Sequence, residues 1–170
     1  MLALIQFFVE LCLLRRGPQD LPASAALVKF LSMVYLGVGV LVGAATGQGL
    51  VEALAQTLVD IGILLGLLYG GLRLAGRLPR LLQAAAALLG SGALLSLLVL
   101  VPMGMATGGE NPEMTGIAAL LFLALLAWSI VVTGHILRHT LDLPLVQGAM
   151  IAIAYNMLAY ALLGALFSGA

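Results

Sequence analysis

The sequence predicts an all-α, polytopic membrane protein with five transmembrane helices and an N-terminal amphipathic helix lying in the interface. Three observations carry that class. Of 170 residues, 63% are hydrophobic and 8% charged, against roughly 45–50% and about 25% in a soluble domain. Mean hydropathy is +1.20. The apolar residues also gather into five runs, each close to the ~20 residues that cross about 30 Å of hydrocarbon. Seven basic and seven acidic side chains, zero net charge, lack the basic footprint of a nucleic-acid binder. The single cysteine, Cys12, excludes an internal disulfide framework and a multi-cysteine zinc site.

Residues 1–24 read as a cytoplasmic segment ahead of the spans. Its stretch Met1 to Leu14 is too short to cross, and Gln6 and Glu10 lie four apart on one side. An interfacial helix with Phe7 and Phe8 dipped into lipid fits that pattern. The stretch has no basic n-region and no small-residue cleavage site, so a cleaved signal peptide is not expected. The transmembrane domain takes residues 25–170. Span one covers about 25–45 and opens after Ser24, a usable N-cap. Span two covers about 56–75, its start left open between Val51 and Leu58 by Glu52, Gln56 and Asp60. Spans three, four and five follow at about 81–105, 115–135 and 143–167, joined by short connections.

Basic residues near span ends stay on the cytoplasmic side. Arg15 and Arg16 precede span one, and Lys29 in its first turn can snorkel back to the same interface. Arg73, Arg77 and Arg80 flank the turn between spans two and three, and Arg138 lies between spans four and five. All seven therefore fall on one side, and the opposite connections carry only Glu52, Glu110 and Glu113. The expected topology is a cytoplasmic N-terminus and an outer C-terminus. The Leu/Ala/Gly-rich, Lys-poor spans suggest a bacterial inner membrane.

Lipid tails give helices no hydrophobic reason to pair, so small residues must permit close packing. Span one offers Gly39 and Gly43, span two Gly62, Gly66 and Gly70, and span five Gly148 with Ala152 four residues on. These predict a compact bundle.

Ionisable residues within spans are functional suspects by default. Asp60 forms a stripe with Gln56 and Glu52 and is expected at the outer end of span two, near the headgroups. A solvated helix end, a proton or cation entry site, and a pair with a neighbouring helix all remain open. Asn156, flanked by Tyr155 and Tyr160, falls near the middle of span five and is expected to bond across helices. His135, His139 and Asp142 have helical spacing that could hold a metal, but Asp142 precedes Pro144, where the helix should end. They are read as span-end residues, and no metal or cofactor is expected. Met103, Met105 and Met114 are too dispersed for a soft-metal site. No Gly-x-Ser-x-Gly elbow, His-Glu-x-x-His, Walker loop or Cys-x-x-Cys occurs, so no enzyme is expected.

The stretch from Arg80 to Gly90, which leads into a small-residue helix, resembles the YIP family of Ypt/Rab-interacting membrane proteins and their bacterial relatives. Trp128-Ser129, Gly134-His135 and Gln147-Gly148-Ala149 are similar to its passage from span four to span five. The resemblance implies five spans with a cytoplasmic N-terminus. The chain departs from the family at Gly90-Ser91-Gly92, which lacks a tyrosine, with the next proline at Pro102. The acidic-aromatic N-terminal motif is absent too, so Rab binding does not carry over. The leading expectation is a non-enzymatic scaffold or accessory protein. Its partners would be membrane lipids and either a second copy or another membrane protein. The alternative is a small transporter or channel subunit with Asp60 and Asn156 in the path. The two differ in whether Asp60 and Asn156 face one water-accessible cavity.

Overall fold

The computed structural model describes residues 2–107 and 112–167; Glu110, assigned above to an outer connection, lies outside them. Six α-helices follow in order: α1 Leu2–Cys12, α2 Ala25–Ala45, α3 Leu50–Leu74, α4 Leu81–Thr107, α5 Pro112–Leu141 and α6 Leu145–Phe167. Single 3-10 turns at Pro18–Asp20 and Leu78–Arg80 precede α2 and α4. The helices α2 to α6 are long and apolar enough to cross a membrane. The chain is an all-α polytopic membrane protein.

Local chemistry sets the ends of these helices. The Ser24 hydroxyl accepts from the Leu27 amide and starts α2. Gly76, at φ +68°, closes α3 in a conformation that a residue with a Cβ rarely adopts. Asp142 closes α5 with φ +52°, which a short polar side chain tolerates better than most. Beside it the Leu143 amide returns to the Arg138 carbonyl. Arg80 donates to the His139 and Thr140 carbonyls and to the Asp142 carboxylate, a cation placed where the helix leaves its last carbonyls free. Arg77 pairs with Asp142 as well. Gln83 donates to the Leu21 carbonyl at 2.9 Å. These bonds gather the 16–21 segment, the α3–α4 turn and the α5–α6 turn at one end, here called the basic end.

α4 is the central helix, touching α1, α2, α3 and α5. Its sequence explains why: Ala84 to Ala87, Gly90, Ser91 and Ala93 are all buried, and a helix of small residues lets neighbours approach from every side. α5 and α6 cross closest at Gly134 and Gly148. A methyl at Gly148 would stand 2.5 Å from the Gly134 carbonyl oxygen. α2 and α3 meet at Gly39 against Thr57 and at Gly43 against Ala53.

Two expectations are corrected here. A Cβ at Gly62, Gly66 or Gly70 would meet nothing within 4 Å, so the span-two glycines make no close helix contact within the chain. α3 packs on α2 through Ala53 and Thr57 instead, a face turned away from those glycines. Phe7 and Phe8 do not dip into lipid either. Both are buried, and the Phe8 ring lies over Gly90 of α4. The small residues of α4 make room for the Phe8 ring, leaving Ile5 and Val9 as the uncovered face of α1.

Candidate functional site

α3 begins at Leu50 and runs through Glu52 and Gln56, the early limit of the start that composition left open. Asp60 therefore stands ten residues, about 15 Å of helix rise, inside α3. Of the readings left open for Asp60, the pair with neighbouring helices is the one its hydrogen bonds bear out. Asp60 lies within two residues of the midpoint of α3, Tyr35 at the midpoint of α2, and Tyr155 one residue from that of α6.

The three side chains meet. The Tyr35 hydroxyl donates to Asp60 Oδ2 at 2.6 Å, and the Tyr155 hydroxyl donates to Oδ1 at 3.2 Å. One phenol thus holds each carboxylate oxygen, from two different helices. A hydrogen bond to an ionised acceptor is stronger than one between neutral groups.

This cluster borders a cavity of about 540 Å³ to which α2, α3, α4, α5 and α6 all contribute. The volume falls in the ~300–1,000 Å³ range of small-molecule sites. Its wall is chiefly apolar: Leu64, Leu68 and Leu72 of α3 face Leu126 and Leu137 of α5. Asn156 lines the same cavity. Its amide donates to the Ala152 carbonyl at 2.8 Å, so it bonds to its own helix rather than across helices as expected. Ser129, whose hydroxyl turns back to Leu126, also borders the space. The cavity exists because α3 leans on α2 and touches α4 only sparsely. No lysine, arginine or histidine is among the described residues that line it.

The remaining candidates lie elsewhere. His135 is buried, and its Nε2 meets the Arg16 carbonyl at 2.9 Å. His139 Nδ1 meets the His135 carbonyl at 2.9 Å. Asp142 turns to Arg77 and Arg80 and does not join the histidines. Among the described residues no three His, Cys, Asp or Glu side chains gather as metal ligands. His135 instead anchors the strand of chain after α1, helped by Trp128, whose indole N–H donates to the Cys12 carbonyl.

Sequence reasoning missed Tyr35. The signal was present, since a phenol in mid-span needs a polar partner and Asp60 was the acidic candidate.

Fold and cavity together define a five-span helical membrane protein with a polar cluster at its centre. Comparison with protein families, curated proteins and solved structures gave no match.

Proposed function

We propose that the chain is a membrane-embedded carrier or channel subunit that admits a small molecule between its five spans. One observation carries the reading: Asp60 and Asn156 border a single cavity built from all five spans. A scaffold working by helix packing alone has no use for a mid-membrane carboxylate, which is costly to keep there. The cavity supports the transporter reading over the scaffold one. No catalytic group belongs to this reading, and its partners are lipids, the carried molecule and a second copy or another membrane protein. The seven basic residues support a cytoplasmic N-terminus and outer C-terminus, in a bacterial inner membrane. The YIP-like stretches at Arg80–Gly90 and Trp128–Ala149 fit the same topology.

The test is water access. In a Cys12→Ser background, Ser129→Cys places a thiol on the cavity wall and Leu120→Cys places one on the uncovered face of α5, where Leu120 is 69% exposed in the isolated chain. A charged, membrane-impermeant methanethiosulfonate should label the first in vesicles and leave the second unlabelled. An unreactive cysteine at Ser129, on either side of the membrane, would return the protein to the scaffold class.

A further inference from the structure

The polar cluster is unbalanced in charge. The Asp60 carboxylate is held by two neutral phenols, and no cationic side chain lines the cavity among the described residues. A carboxylate beside a chiefly apolar wall is best balanced by a positive charge, which two neutral phenols do not supply. None of Arg15, Arg16, Lys29, Arg73, Arg77, Arg80 and Arg138 is among the cavity's lining residues. A carboxylate offers about four lone-pair directions, and the two tyrosines use one on each oxygen. The directions that remain can accept from an incoming donor. Away from Asp60 the wall is chiefly apolar, with Leu64, Leu68, Leu126 and Leu137 among its residues and Ser129, Thr133 and Asn156 as scattered polar groups.

Each class of occupant meets these walls differently. An anionic amphiphile would set its charge against Asp60. A neutral one would fill the apolar part and leave the carboxylate uncompensated. A bare inorganic cation would compensate the carboxylate and leave the leucine surfaces unfilled. A single positive charge on an apolar body satisfies both parts.

We infer that the cavity takes a monovalent lipophilic cation, an alkylammonium-type amphiphile, with its head on Asp60 between Tyr35 and Tyr155 and its tail along the leucines. The ammonium N–H groups donate to the free lone pairs of the carboxylate. The inference rests on the carrier reading above.

Three ligands with one tail and different heads decide it. The full chain in lipid nanodiscs is dialysed to equilibrium against octylammonium, octanol and octanoate, with empty nanodiscs subtracted for partitioning. Octylammonium should bind about tenfold or more tighter than octanol, and octanoate weakest. Asp60→Asn should bring octylammonium down to the level of octanol and leave octanol unchanged. The wild-type ranking needs no variant, so a poorly folded Asn protein does not affect it. Equal binding of ammonium and alcohol, or binding of none of the three, overturns the inference. If Ser129→Cys is still labelled, the carrier reading survives that failure; if it is not, both fall.

Discussion

Cys12 is the last residue of α1 and is 7% exposed, enclosed by the helix's own Phe8 and by α4. Burial among apolar groups disfavours the thiolate and pushes the thiol up to about 11. Only the thiolate attacks an alkylating agent, so at pH 8 about one molecule in a thousand is reactive. Iodoacetamide should modify native Cys12 far more slowly than a free thiol, with the rate climbing as pH rises toward 11. Phe8→Ala should accelerate the reaction at constant pH, because it removes the ring that seats α1 over Gly90. A wild-type rate equal to that of a free thiol would mean that α1 does not rest on α4. Asp60 and Asn156 stood out by type, because polar groups are rare in spans. Tyr35 did not, because a tyrosine in an apolar run passes as hydrophobic until the carboxylate it meets is known.

At the level of helices, the glycines divide into two kinds that look the same in sequence. Gly148 faces backbone: an added methyl would meet the Gly134 carbonyl oxygen at 2.5 Å and the Arg138 amide nitrogen at 3.3 Å. Backbone cannot swing aside as a side-chain tip can, so α5 and α6 must separate. Gly148→Leu should lower stability by about 1–3 kcal/mol, the usual cost of overpacking. Gly66→Leu, which meets nothing within 4 Å, should leave stability within about 0.5 kcal/mol. Unfolding of both variants in mixed micelles checks the pair, and equal losses would put a helix against the Gly66 face. Four-residue spacing shows that a face is small but not which neighbour covers it. The spacing therefore identified real contacts at Gly39, Gly43 and Gly148 and a false one along α3. Hydropathy placed the ends of α2 correctly, since Ser24 caps one end of a uniformly apolar run. It left the start of α3 open between Val51 and Leu58, because Glu52 and Gln56 lower local hydropathy without breaking a helix. That blur hid how far inside α3 Asp60 stands, and with it the site.

Across the whole molecule, charge and connectivity give a test of orientation. The bonds from Gln83 to Leu21, from His135 to Arg16, and from Arg80 to His139 and Asp142 bring the basic connections to one end of the bundle. Five crossings starting from that end leave α6 finishing at the other. Basic residues near span ends are retained on the cytoplasmic side, so a reporter active only outside the cytoplasm should work when fused after Ala170. The same reporter placed after Arg77 should be silent. Three lysines inserted at positions 108–109, in the connection on the opposite side, should reduce correct insertion, because they would put basic charge on the side that now has none. A reporter active after Arg77 and silent after Ala170 would invert the molecule. Asp60 would remain near the middle of α3 in that case, since its place is set by Tyr35 and Tyr155 and not by the direction of insertion. What would change is which end of the cavity faces the cytoplasm, and so the side from which Ser129→Cys is labelled. The reporter and labelling experiments therefore have to agree on one orientation.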